Sequence, residues 1–459
     1  MKTNLKVMGF ALSAAFVLSA CGGAAAPAAT AVPAKPAATA VPAATAVPAA
    51  TAVPAAPKPT DVPKPAATAV PAVEAIKFYS SHPLQGASKG SSDGINNGYK
   101  LAIEQLTKDG LVCDGKFKIT LELLDDSTAA KGAWDAATEQ GNATKAAADK
   151  DAMVYFGTLN SGAAKVAIPI LNQVGMPMIS AANTAVGLTK ANEPGEPEKY
   201  YPTGKRTYMR VVPADDFQGV VNANWLKGLG VKSVYVVDDT ELYGKGVADV
   251  MEKQSKAIGI EVKGRQSVTG KDMQGQANSI AVKINGTKPE AVYYGGITAA
   301  NGPLLLVELR KAGFKGIFMG PDGVQENEFI TAAGKTADGK FVAEGIYATI
   351  GSVALADLPA SGKKFLTDYS AKFGIAADKI EVYSKYGYAS MQVALAAISK
   401  VCKKDRAAIL EAMMATKDLD SVVGKLTLDK NGDTTSTSMT GYVVDAKGVW
   451  VETPIKQAP

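Results

Sequence analysis

The residues that could do chemistry sit at the ends of short apolar runs, and most carry small hydroxyl or amide groups. IKFYSS (76–81) leads into HPLQGASKGSSDG, MVYFG (153–157) into TLNSG, and MPMIS (176–180) into AANT. VYVVDD (234–239) leads into TELYG, VYYGG (292–296) into ITAANG, and GIFMG (316–320) into PDG. In open parallel sheets ligands bind beyond the carboxyl ends of the strands, where loops lead into helix N-termini. Backbone N–H groups and hydroxyls there can take a carboxylate, and the acid of this set, Asp322, can take an ammonium. Such a set suits a small zwitterion. It does not supply a general acid–base pair, because no titratable partner accompanies Asp322 in its own loop.

Other chemistries are poorly provided for. His82 is the single histidine of the chain, so a Ser-His-Asp triad could be built only around it. HExxH, Cys/His zinc spacings, G-x-x-x-x-G-K-[ST] and G-x-G-x-x-G are all missing. No cofactor and no metal is expected. DKNGD (429–433) lacks the remaining spacing of a calcium loop and reads as a tight turn. Asp125-Asp126 and Asp238-Asp239 follow strands directly, and adjacent strand residues face opposite sides, so neither pair is placed to act as a dyad. His82 lies at a strand end on the side of the other loops, either against a ligand or packed within its loop. Five scattered arginines, Arg206, Arg210, Arg265, Arg310 and Arg406, and a formal charge of +5 give no basic cluster for nucleic acid.

Around these loops the 459-residue chain has three textures. Residues 1–21, MKTNLKVMGFALSAAFVLSAC, carry Lys2 and Lys6, then an apolar core too short for a comfortable membrane span. Their end, Leu18-Ser19-Ala20-Cys21, resembles the bacterial lipobox, which implies a lipid on Cys21. The other reading is a plain secretory leader. Residues 22–75 repeat ATAVPA with a six-residue period, and proline at that density favours an extended tether. From Ile76 onward strand and helix patterns alternate, the grammar of parallel βαβ units, and the pattern restarts after RTYMRVVPADD as though a second sheet began.

Taken together, PLQGASKGSSDGINNGYKLAIEQL, GTLNSGAAKVAIPILNQVGMPMISAANTAVGLT, DDTELYGKGV, AVYYGG, GIFMGPDGV, YGYASMQVALAAI and GDTTS match in order and spacing. From Ile76 to about Val451 the chain resembles the leucine/isoleucine/valine-binding family of ABC importers, among the class I periplasmic binding proteins. The resemblance implies an α/β fold of two Rossmann-like lobes joined by three hinge crossings, expected near Pro213–Asp215, Ala348–Ile350 and Gly432–Thr435. One lobe would hold residues 76–214 and 349–433, the other 215–348 and 434–459. Ser161 and Thr184 match residues that receive the ligand carboxylate, with Asn183 supplying adjacent backbone. Tyr243 matches a tyrosine of the second lobe, Asp322 the acid for the ammonium, and Tyr383 an aromatic near the rim. The same residues also suit plainer roles as helix caps, a packed ring and a turn acid. Ile297, Ser91, Asn160 and Asn183 depart from the family pattern and imply a larger or wetter side-chain pocket. By the family's topology Cys113 and Cys402 share the first lobe, either bridged or free, which a Cα separation of about 4.4–6.8 Å would decide. The function implied is capture of a small amino acid or related polar solute outside the cytoplasm. A monomer held to a bacterial membrane only by its lipid would deliver the solute to an ABC permease. A sensory receptor and a hydrolase on an α/β scaffold are the alternatives.

Overall fold

The apolar runs are strands because they are buried on both faces: every residue of Ala152–Gly157, Ser233–Asp238 and Ala291–Gly295 is inside. That is the pattern of parallel sheets covered by helices on each side. A computed structural model describes residues 73–456 of the protein. The leader, Cys21 and the Pro/Ala-rich segment through residue 72 lie outside the described residues.

The first lobe begins with β1 (Glu74–His82), α1 (Lys89–Leu106), β2 (Leu111–Val112) and β3 (Phe117–Asp125). A small hairpin of β4 (Ser127–Thr128) and β5 (Ala133–Trp134) precedes α2 (Ala136–Ala148). Then come β6 (Ala152–Gly157), α3 (Ser161–Gln173), β7 (Met178–Ser180) and β8 (Tyr208–Arg210). The sheet order is β2-β3-β1-β6-β7-β8. The second lobe runs α4 (Asp215–Gly228), β9 (Ser233–Asp238), α5 (Leu242–Ala257), β10 (Glu261–Ser267), α6 (Gly270–Gly286) and β11 (Ala291–Gly295). It continues with α7 (Gly302–Lys311), β12 (Ile317–Gly320), α8 (Asn327–Ala333) and β13 (Tyr347–Ile350). The chain returns to the first lobe as α9 (Ala360–Phe373), α10 (Ser384–Val401), α11 (Arg406–Met414) and the β14–β15 hairpin (Leu419–Ser421, Gly424–Leu426). It ends in the second sheet as β16 (Thr440–Val444) and β17 (Trp450–Thr453). That sheet is ordered β10-β9-β11-β12-β13-β16-β17, parallel except where β16 and β17 add antiparallel strands at one edge. This is the α/β architecture of two Rossmann-like lobes expected above. The chain passes between the sheets at 211–214, 351–354 and 434–439. Thr349 and Ile350 still belong to the second sheet, because β13 keeps its ladder with β16 through Ile350↔Thr440.

Two features set the position of the site. Helix α10 lies against α1 so closely that a Cβ on Gly98 would stand 2.2 Å from the Ser384 carbonyl oxygen. A glycine is required there, and the contact carries the start of α10 to the mouth of α1. Met391 and Ile398 on α10 are fully buried, each contributing about 1.5–3 kcal/mol over exposure. At the other side, the DKNGD segment is the expected tight turn: Asn431 N–H bonds the Asp429 carboxylate at 2.8 Å. Its last residue, Asp433, reaches the fully buried Arg210, whose Nε lies 2.7 Å from Oδ1. The Arg210 guanidinium also donates to the Ala185 carbonyl at 2.8 Å and Thr189 Oγ1 at 2.5 Å.

Cys113, after α1, and Cys402, at the end of α10, are joined by a disulfide with a Cα separation of 5.6 Å. The bond spans 289 residues of sequence. Reduction is expected to lower stability by about 2–4 kcal/mol, chiefly by releasing the unfolded chain from that closed loop. Denaturation midpoints with and without reductant check this; equal midpoints would refute it.

Candidate functional site

Where the two lobes face one another, a narrow cavity is lined from both sides. Its volume is about 40 Å³. The first lobe supplies Ser91, Trp134, Asn160, Ser161, Thr184 and Tyr383 among others; the second supplies Tyr243, Ile297 and Asp322.

One wall is the start of α3. Asn160 is its N-cap in extended backbone conformation, yet its side chain makes no capping bond, and its buried Oδ1 has no partner. Ala163 and Ala164 N–H both bond the Asn160 carbonyl at 3.1 Å, leaving those of Ser161 and Gly162 without a backbone acceptor. The Ser161 hydroxyl accepts from Ala185 N–H at 3.3 Å, and the Thr184 hydroxyl is buried without a partner. Free N–H groups at a helix N-terminus with two hydroxyls beside them form an anion site. Ser161 is not the cap of α3, since that position belongs to Asn160.

Facing it, Asp322 is 6% exposed. It accepts from the Tyr243 hydroxyl on Oδ1 and from the Tyr383 hydroxyl on Oδ2, both at 2.6 Å. Tyr243 and Asp322 come from one lobe and Tyr383 from the other, so the Tyr383 bond ties the lobes together. Gly323 allows the loop to sit this close: a Cβ there would stand 2.8 Å from Ile297 Cγ2 and 3.0 Å from Tyr243 Cε1. Burial raises the Asp322 carboxyl above its usual range, against the pull of the two tyrosine hydroxyls. Behind it, Asp215 at the start of α4 has both carboxylate oxygens buried and unpartnered. Burial and the nearby Asp322 hold that carboxyl well above the usual range.

Several expectations need correction. Asn183 does not line the cavity: it is fully buried, and its amide donates to the Thr158 and Leu159 carbonyls at 2.9 Å each. It holds the TLNSG loop in shape. For His82 the packing reading is the one that agrees with the structure: it is fully buried and away from the cavity, its Nε2 3.4 Å from the Tyr99 hydroxyl, and burial lowers its pKa to about 3. Asp322 is not an isolated acid, for Glu241, Glu326 and Glu381 line the same cavity, and no lysine, arginine or histidine does. The pocket is accordingly more polar than an aliphatic one but not spacious. Ser91 contributes to that polarity, its hydroxyl lying 3.2 Å from Glu326 Oε1.

The paired aspartates behave differently from each other. Asp238 meets Arg265 at 2.8 Å and Asp239 caps Glu241 N–H at 3.0 Å, as turn and cap residues. Asp125 likewise accepts from Leu84 and Ser127 N–H. Asp126 is buried near Glu139; burial pushes Glu139 up to about 8 and, reinforced by Glu139's charge, holds Asp126 well above the usual range. Neither of these lines the cavity. Sequence reasoning missed Trp134, Glu241, Gln325, Glu326 and Glu381. Glu326 stands four residues after Asp322 in PDGVQENEF and Glu381 two before Tyr383 in KIEVYSKYG, so proximity in sequence was the available signal.

Two α/β lobes closing on a cavity of free N–H groups, hydroxyls and carboxylates, with ligand groups drawn from both sides, define a cleft-type solute binder. Residues 76–449 match the periplasmic binding protein family. The chain belongs to that family. A Leu/Ile/Val-binding protein of Rhizobium johnstonii is 28% identical over 366 residues, covering 79% of this chain and 90% of the relative. A leucine-, isoleucine-, valine-, threonine- and alanine-binding protein of Pseudomonas aeruginosa is 25% identical over 371 residues, covering 80% and 90%. Among solved structures, the leucine-binding protein LivK of Thermotoga maritima superposes with a TM-score of 0.70 at 24% identity. That superposition covers 83% of this chain and 99% of the other. LivJ from Streptococcus pneumoniae, in complex with isoleucine, gives 0.68 at 22%, covering 83% and 100%. Both likenesses concern the fold. Among the described residues no helix is long and apolar enough to cross a membrane.

Proposed function

We propose that the protein is the substrate receptor of an ABC importer, capturing a small α-amino acid between its lobes and handing it to a permease. The observation that carries this reading is the opposition of an anion site at the start of α3 to the buried carboxylate of Asp322. The ligand carboxylate takes the Ser161 hydroxyl, the Thr184 hydroxyl and the free N–H groups of Ser161 and Gly162. Its ammonium takes Asp322, whose two oxygens retain acceptor capacity beyond the tyrosine hydroxyls. Amino-acid binding by the two curated relatives named above supports the ligand class, and membership of the periplasmic binding protein family supports the importer role. Lipid on Cys21 and the spacing of the 22–75 segment would hold a monomeric receptor at the outer face of a bacterial membrane.

The test is direct. Purified protein is denatured and the released small molecules are identified by mass spectrometry, then refolded protein is screened for shifts in melting temperature against the α-amino acids. Ligand at a hundredfold excess over Kd should stabilise by about 2.7 kcal/mol. If amides, sugars or simple carboxylates shift the melting point and no amino acid does, the zwitterion assignment fails.

A further inference from the structure

Resting on the amino-acid reading above, we propose that the ligand carries a second positive charge on its side chain, received by Glu326 and Glu381. The receptor then takes a basic α-amino acid of the lysine or ornithine type in preference to an aliphatic one.

The cavity is unusual for an aliphatic side chain. Its lining includes Glu241, Asp322, Glu326 and Glu381 and no cationic residue. Asp322 is committed to the two tyrosine hydroxyls and the α-ammonium. Glu326, just before α8, is 7% exposed; Oε1 accepts from Ser91, while Oε2 is buried and makes no hydrogen bond, with the Thr298 and Ser88 hydroxyls near the carboxyl. Glu381 takes Asn327 Nδ2 on Oε1 at 2.8 Å, and its charge bears on Glu326 from the other lobe.

Glu326 is buried and Glu381 half-buried, two carboxyls set near each other resist ionising together, and an unpartnered carboxylate oxygen in such a place is costly. Burial, reinforced by Glu381, pushes the Glu326 carboxyl up to about 8, against the hydroxyls of Thr298, Ser91 and Ser88. An organic cation placed between the two glutamates removes both difficulties. It gives Oε2 a donor and favours the ionised form of each acid. An aliphatic side chain gives neither and would leave the carboxyls facing hydrocarbon. Among the described residues no three potential metal ligands converge, which fits a cation delivered on an organic stem.

The second acidic pair is within reach of the first. Tyr383 touches Asp322 and Glu381 is two residues before it, while Glu326 is four residues after Asp322, so both glutamates flank the ammonium site in the same cavity. Ile297 and Val382 offer the ligand's stem apolar surface.

Lysine and norleucine make the comparison, since they share the α-amino acid group and differ at the end of the side chain. Calorimetric titration of the full chain is expected to give lysine or ornithine at least a hundredfold higher affinity than norleucine. In Glu326→Gln and Glu381→Gln that ratio should fall at least tenfold, with melting curves confirming that each variant is folded. A purely structural role for either glutamate would lower both affinities together and leave the ratio unchanged. If norleucine or leucine binds wild type as tightly as lysine, this inference is overturned while the amino-acid reading stands. If none of them binds, both fall.

Discussion

Asp322→Ala is expected to weaken binding of the amino-acid ligand by well over tenfold, with most of the ligand-induced rise in melting temperature lost. In the closed cleft the ion pair between Asp322 and the ligand ammonium is removed from water. Deleting one partner of such a pair costs about 2–5 kcal/mol, much of it for leaving the other charge buried alone. The substitution also strands the hydroxyls of Tyr243 and Tyr383, each now 2.6 Å from a carboxylate oxygen. Because the Tyr383 bond joins the lobes, the variant should close less completely even when ligand is present. Tyr243→Phe and Tyr383→Phe separate the two effects: each removes one hydroxyl, keeps the carboxylate, and should cost less than Asp322→Ala. A ligand analogue without the amino group completes the comparison, binding wild type poorly and gaining relative to the parent ligand on Asp322→Ala. Calorimetric affinities for the three variants decide it. An Asp322→Ala protein that binds within threefold of wild type would remove the ammonium site from Asp322.

Arg210→Met should be strongly destabilising, lowering stability by about 3–5 kcal/mol, because it leaves the buried Asp433 with only Lys190, 3.4 Å away, as a counter-charge. Arg210 is fully buried and Asp433 nearly so. Burial alone would raise the Asp433 carboxyl, but the Arg210 charge and hydrogen bond hold it below the usual range. A carboxyl depressed in the folded state contributes stability above its unfolded pKa and loses it as pH falls through the folded value. The pair therefore adds to acid sensitivity of the wild type below about pH 4. In Arg210→Met this contribution shrinks, since only Lys190, 3.4 Å away, and the Thr189 hydroxyl still favour the Asp433 carboxylate, and the variant loses less than wild type as the solution is acidified. Arg210→Met with Asp433→Leu should recover much of the loss, because replacing a whole buried pair by apolar groups is often nearly neutral. Urea midpoints at pH 7 and pH 4 for the single and double variants test both statements.

Much of the fold was readable in the chain because strands buried on two faces leave no polar alternation. AMVYFG, SVYVVD and AVYYG can be little else once helical patterns follow each. The strand ends then mark the loops that hold Ser161, Thr184, Tyr243 and Asp322, since topology dictates where ligands meet such sheets, and the family resemblance picks out those residues within them. The acids were harder to place. Glu326 and Glu381 lie in segments that look like ordinary polar loops, one on each lobe, and only the folded arrangement brings them to one cavity. Asn183 misled for a related reason: an amide in a binding loop can face the ligand or hold the loop, and its spacing is the same in both cases. Here the Thr158 and Leu159 carbonyls claim it. The crossing at Ala348–Ile350 was placed a few residues early because β13 continues its ladder into the hinge, a matter of pairing with β16, which lies about ninety residues further on.

The disulfide gives the molecule a connectivity that the linear order conceals. Cys113 and Cys402 both belong to the first lobe, yet the chain between them leaves that lobe at 211–214 and re-enters it after 351–354. Residues 113–402 are thus a covalent ring threaded through both lobes, with two of the three crossings as arcs of the same circle. A single backbone cut anywhere on that ring, including at either of those crossings, opens the circle without dividing the molecule. The third crossing, at 434–439, lies off the ring, and a cut there leaves the terminal strands β16 and β17 with no covalent tie, seated only by ladder hydrogen bonds and packing.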